Sequence, residues 1–219
     1  MSRKGCAQRV VSIEPMGLEG ILRLPPAPIG LVVFAHGAGS SRRSPRNNHV
    51  AEMLAERGIA TLLFDLLTLE EAADRANVFD IGLLGGRVTE AMDWVGRQPD
   101  LAPLPLGLFG ASTGAAAALV AAARLPGRIA AVVSRGGRPD LAGAALTEVR
   151  APVLLIVGGR DDRVITLNEA AAARLACPHR IEIVPGATHL FEEPGTLDRV
   201  VDLAGDWFEA HFSGAGSGR

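Results

Sequence analysis

The sequence is short of cysteine, of surplus charge and of long apolar runs, and each shortage removes a class of function. Its two cysteines, Cys6 and Cys177, make neither a disulfide framework nor a metal-binding spacing. With 22 basic against 24 acidic residues the net charge is −2, so no electrostatic footprint for nucleic acid or an anionic membrane emerges. The small basic cluster Arg42, Arg43 and Arg46 reads as a solvated loop. No stretch approaches the roughly 18 apolar residues that span a bilayer. Met1 to Arg9 is polar and no apolar signal-peptide core follows, so the expectation is a soluble cytoplasmic protein, monomer or homodimer. Repeats, heptads and interdomain linkers are also missing. The 219 residues therefore read as a single domain over 1–212, followed by a disordered Gly/Ser tail over 213–219.

What is present is alternation. Gln8 to Glu14 and Leu18 to Leu24 read as an edge hairpin around Pro15-Met16-Gly17. Continuous apolar runs then recur at Ile29 to Ala35, Ile59 to Phe64, Leu104 to Phe109, Ile129 to Ser134 and Val153 to Val157, with Arg180 to Val184 after them. Runs apolar on both faces are the mark of strands covered from both sides. Between them fall helical patterns: Ser44-Pro45 to about Arg57, Val78 to Arg97, Thr113 to Leu125, a short helix over Leu141 to Glu148, Thr166 to Ala176 and Thr196 to Phe212. Such alternation predicts an α/β fold with a mostly parallel sheet and helices on both faces. The connection from Ser134 to Val153 is short, which leaves little or no room for a lid and predicts an open active site.

The chemistry is concentrated where Leu104–Phe109 meets the alanine-rich helix. Gly110-Ala-Ser-Thr-Gly114 places G-x-S-x-G at a strand-to-helix junction, the arrangement in which a serine sits on a strained turn with its hydroxyl exposed. Cβ atoms at Gly110 or Gly114 would collide with neighbouring backbone beside so sharp a turn. Ser112 is therefore the candidate nucleophile.

A serine needs a base, and the base an orienting acid. Of five histidines, only His179, His189 and His211 follow the serine. His189, in the loop leaving the last strand, is the best placed; His179 enters a strand and His211 lies in the last helix. For the acid, the turn Gly158-Gly159 delivers Asp161 at a strand end, with Asp162 and Asp140 as alternatives. The oxyanion would be held by two backbone N–H groups, from Thr113 and from Ala38 in His36-Gly-Ala-Gly39. That segment is a poor dinucleotide motif, because Arg42 stands where the third glycine belongs. His36 reads as a tie for this loop. Leu66, Leu67, Leu141 and Leu190 are candidate apolar walls for the substrate.

Taken together, His36-Gly-Ala-Gly39, Gly110-Ala-Ser-Thr-Gly114, Gly158-Gly-Arg-Asp161 and Gly186-Ala-Thr-His189 resemble the α/β-hydrolase superfamily, and within it the small dienelactone-hydrolase-like group. The resemblance spans about Ile29 to Phe212. It implies the α/β-hydrolase fold with an eight-stranded sheet, a Ser112–His189–Asp161 triad, and hydrolysis of small esters or lactones with no metal or organic cofactor. Dienelactone hydrolases proper carry a cysteine nucleophile, so Ser112 favours carboxylesterase chemistry. An acyltransferase or C–C bond hydrolase on the same triad, and a non-catalytic binding module, are the competing classes. Chains with a similar His-Gly-x-Gly-Ser-Ser-Arg segment are named phosphoribosyltransferases, but no P-loop or pyrophosphate signature occurs here.

Overall fold

In the computed structural model, which describes residues 5–214, eight strands form one sheet in the order β1-β2-β4-β3-β5-β6-β7-β8. β1 (Ala7–Ile13) and β2 (Leu18–Leu24) are the edge hairpin, and β2 runs antiparallel to β4 (Ile59–Phe64). The remaining strands are parallel: β3 (Gly30–Ala35), β5 (Leu106–Ala111), β6 (Ile129–Arg135), β7 (Val153–Gly158) and β8 (His179–Val184). β3, β4, β5 and β7 are buried at every position, which demands cover on both faces.

On one face, α1 (Pro45–Glu56) and α7 (Thr196–Gly214) pack Val50, Leu54, Phe208 and Phe212 against Phe34 and Phe109. On the other lie α4 (Ile81–Gly96), α5 (Thr113–Arg124), α6 (Asp162–Ala172) and a 3₁₀ segment over Pro139–Glu148. The alanine run of α5 is almost wholly buried there. β3 lies between β4 and β5, and the chain leaves β3 for one face but β5 for the other. The carboxyl ends of β3 and β5 thus part around a crevice, where open α/β sheets bind ligands.

Three details depart from the sequence reading. The stretch after β4 is not plain loop but two short helices, α2 (Leu69–Ala73) and α3 (Arg75–Phe79). Their signals were present: Thr68 and Glu71 form a reciprocal capping box and Asp74 caps Ala76 N–H. α6 starts at Asp162 rather than Thr166, because the helix begins directly after Asp161 at its N-cap. Ser213 and Gly214, assigned to the tail, close α7, with Ser213 Oγ donating to Glu209 O at 2.8 Å; the rest of the expected tail, 215–219, lies outside the described residues. Among the described residues no helix is long and apolar enough to cross a membrane.

Candidate active site

Ser112 joins β5 to α5 with φ 51° and ψ −123°, a conformation that disfavours any residue with a Cβ. The elbow glycines allow it. A Cβ on Gly114 would overlap the carbonyl oxygens of Ala35 and His36, and one on Gly110 would overlap Ala115. Ser112 occupies the N-cap of α5, where a serine hydroxyl ordinarily accepts a backbone N–H, yet it makes no capping bond. Its backbone is held instead: Ser112 N–H donates to Arg135 O (3.3 Å) and Ser112 O accepts from Arg138 N–H (3.0 Å).

Asp161 repeats the pattern. It stands at the N-cap of α6 and also makes no capping bond; its Oδ2 lies 2.7 Å from Nδ1 of His189. A carboxylate only accepts, so the shared proton belongs on Nδ1 and Nε2 is left as the acceptor. The loop after β8 reaches Asp161 because Gly158 has no side chain: a Cβ there would fall 2.5 Å from Ala187 O. Arg160 N–H then donates to Ala187 O (2.9 Å) and Gly159 N–H to Val184 O (2.8 Å). The turn after β6 links His189 to Ser112. Arg135 and Arg138 bond the Ser112 backbone, and between them Gly136 lies against His189, an added Cβ falling 3.7 Å from Nδ1.

The alternative acids go elsewhere. Asp162 is exposed in the first turn of α6, and Asp140 forms a two-pronged pair with Arg138 (2.9 and 2.8 Å). The other histidines are also committed: His49 to Asp198 (2.8 Å), His179 to Cys177 O (2.9 Å) and His211 to Trp207 O (2.7 Å). His36 is a tie, as its sequence position suggested. Nε2 accepts from Leu66 N–H (3.0 Å), which puts the proton on Nδ1, 3.0 Å from Gly37 O. Burial holds its pKa below the ordinary histidine value.

The loop 36–41 passes over Ser112, with an added Cβ on Gly37 falling 3.0 Å from Ser112 Cβ. Arg42 anchors its far end. The cluster read as a solvated loop is therefore not uniform: Arg42 is largely buried, bonded to Asp65 through both backbone and guanidinium and to Glu19 at 2.6 Å, while Arg43 is exposed. Thr113, the first residue of α5, has no intrahelical acceptor for its N–H. The Ala38 N–H is engaged, donating to Thr113 Oγ1 at 2.8 Å.

A cavity of about 260 Å³ opens beside this loop, lined by its backbone and by Leu66, Leu67, Leu69, Ala72, Val78 and Leu84. Of the four leucines singled out in the sequence, Leu66 and Leu67 line this cavity. Leu141 and Leu190, 38% and 39% exposed, do not line it. In the 3₁₀ segment Pro139, Ala142 and Leu146 take the inward positions, and after His189 it is Phe191, at φ 55°, that turns inward. Leu69 and Ala72 come from α2, which the sequence reading had as loop, Val78 from α3 and Leu84 from α4.

One buried group was not foreseen. Arg135, at the end of β6, has Nη2 3.1 Å from Asn47 Oδ1 and its guanidinium 6.0 Å from the Phe191 ring centre. Burial, with the charge of Arg46 added, pushes its pKa down to about 10, so it stays a cation at neutral pH beneath the His189 loop. An arginine closing an apolar strand reads in sequence as the exposed end of that strand. Among the described residues no three His, Cys, Asp or Glu side chains converge as a metal site.

The chain as a whole has known relatives. The model of the alpha/beta hydrolase domain matches residues 28–202. A solved dienelactone hydrolase from Anabaena variabilis is 53% identical with a TM-score of 0.89, covering 94% of this chain and 97% of that one. Est1E from Butyrivibrio proteoclasticus, 16% identical with a TM-score of 0.76 over 96% of this chain and 100% of its own, shares the fold. A Mycobacterium tuberculosis protein provisionally named a phosphoribosyl transferase is 59% identical over 202 residues; the match covers 92% of this chain but 46% of that protein. The chain thus spans about half the length of that relative.

Proposed function

The chain belongs to the dienelactone-hydrolase-like group of the alpha/beta hydrolase family, and from that premise we propose that it is a serine hydrolase cleaving small carboxylic esters or lactones through an acyl-enzyme. One observation carries the reading: the 2.7 Å His189–Asp161 bond, set across the Arg135–Arg138 turn from a serine that leaves its own helix uncapped. A helix start without its capping bond is less stable by about 1 kcal/mol. Two such starts, at Ser112 and Asp161, are hard to account for unless both side chains are kept for something else.

In this reading Nε2 of His189 takes the Ser112 proton as Oγ attacks the acyl carbonyl, and Asp161 holds the ring and stabilises the imidazolium. Negative charge develops on the carbonyl oxygen at the amino end of α5, where the Thr113 N–H and the helix dipole favour it. His189 then protonates the leaving alkoxide. In the second half-reaction His189 deprotonates water as it attacks the acyl-enzyme, then returns that proton to Ser112 Oγ as the acid is released. The Leu66–Leu84 cavity is suited to a small apolar acyl or alcohol group.

The transferase name of the mycobacterial relative belongs to a protein of which this chain matches 46%. We assign no phosphoribosyl transfer to this chain, since its glycine segments serve the elbow and the loop over Ser112 rather than a pyrophosphate cradle. Labelling with a fluorophosphonate and turnover of p-nitrophenyl acetate test the proposal together. Ser112→Ala should abolish the label and lower turnover by on the order of 10⁴ or more. A label on a different serine, or a wild-type chain that takes none, overturns it.

A further inference from the structure

The residue after the nucleophile offers more than its backbone. We propose that the Thr113 hydroxyl is itself an oxyanion donor, and that the Ala38 N–H acts through it rather than on the substrate. The inference rests on the serine hydrolase reading and adds a second donor to it.

Three observations point there. The Ala38 N–H, which sequence reasoning had aimed at the oxyanion, donates to Thr113 Oγ1 at 2.8 Å. For it to contact substrate directly, that bond would have to break. Next, the Thr113 hydroxyl proton has no protein acceptor among the described residues, although the residue is buried, 7% exposed. The other helical threonines show what is missing. Thr89 donates to Gly85 O (3.0 Å) and Thr166 to Asp162 O (3.2 Å), each four residues back, and Thr196, which also opens its helix, donates to Glu193 O (2.7 Å), three back. For Thr113 the residues three and four back, Gly110 and Phe109, lie in β5, and neither carbonyl accepts its hydroxyl. Finally, this hydroxyl belongs to the residue whose own N–H is without an intrahelical partner, at the positive end of α5 and directly beside Ser112.

The arrangement is a two-link chain: Ala38 N–H to Thr113 Oγ1, then Thr113 Oγ–H to the carbonyl oxygen. A hydroxyl that accepts a hydrogen bond becomes a better donor, so the amide strengthens the second link without touching substrate. No proton changes owner, and the hydroxyl hydrogen stays on Thr113 throughout. The bond to Ala38 also fixes the Thr113 rotamer before substrate arrives, so the donor is oriented in advance. Thr113 would then supply two donors from one residue, its N–H and its O–H.

Thr113→Val keeps the branched shape and removes the hydroxyl, whereas Thr113→Ser keeps the hydroxyl. In steady-state ester hydrolysis, Thr113→Val should lower kcat by on the order of 10², with KM within about twofold, and Thr113→Ser should return kcat to within about fivefold of wild type. Fluorophosphonate labelling of Ser112 should slow in the same order, because the adduct also places an oxygen in the hole. If Thr113→Val does not fold, Thr113→Ala against Thr113→Ser makes the same comparison. Should Thr113→Val or Thr113→Ala keep wild-type kcat and labelling rate, the Ala38 N–H reaches the oxygen unaided and the relay is wrong. A wild-type chain that takes no label at Ser112 overturns the hydrolase reading and the relay with it; a labelled wild type with an unaffected Thr113→Val overturns the relay alone.

Discussion

Replacing Ser112 by glycine should destroy activity and make the protein more stable, and the size of the gain follows from the elbow. At φ 51° and ψ −123° a residue with a Cβ is strained by roughly 1–3 kcal/mol, and glycine is not. Against this, glycine gains more freedom in the unfolded chain, worth about 0.4–1 kcal/mol. No capping bond is lost, since the Ser112 hydroxyl makes none. The net expectation is about 1 kcal/mol of added stability, or roughly 2–4 °C in Tm for a chain of this length. Ser112→Ala is the control: it keeps the Cβ and the strain, so its stability should stay within about 0.5 kcal/mol of wild type. Calorimetry and urea unfolding of the three proteins give the answer. If glycine is no more stable than alanine at this position, the elbow stores no strain and the argument from its dihedral angles fails.

Asp161→Asn should lower kcat by on the order of 10⁴ with the fold intact, while Asp162→Asn stays near wild type, because only Asp161 orients His189; the reverse order in a kinetic comparison would move the acid to Asp162. With walls supplied by Leu66, Leu67 and α2–α3, kcat/KM for p-nitrophenyl esters should peak between acetyl and roughly hexanoyl, each well-placed methylene adding about 0.8 kcal/mol, or about fourfold. Better turnover of palmitoyl esters would reveal a deeper channel. Because burial lowers the His36 pKa, the unfolded chain binds that proton more readily, so stability from neutral His36 is complete above pH 6.5 and falls as pH drops toward the lowered value. His36→Gln should flatten that limb of the Tm–pH curve, and an unchanged limb would assign it to another group.

Much of this molecule is legible in one dimension because its governing constraints are local. Strands apolar on both faces announce a covered sheet, and Gly110 is dictated by Ala115, five positions on, although Gly114 answers to the distant carbonyls of Ala35 and His36. Even the missed helices α2 and α3 carried readable caps in Thr68, Glu71 and Asp74. Chain order also put Ser112, Asp161 and His189 at strand ends, which is where the fold brings them. Sequence could not decide which of two adjacent aspartates meets the histidine, since a helix start at 162 rather than 166 turns Asp161 toward His189 and Asp162 to solvent. Nor could it tell that Leu141 and Leu190 face outward, that Arg135 is buried and Arg42 largely so, or that the Ala38 amide is spoken for by Thr113 across 75 positions. Each of these depends on how close two distant backbones come, and that distance is set by packing the whole sheet between its two helical layers.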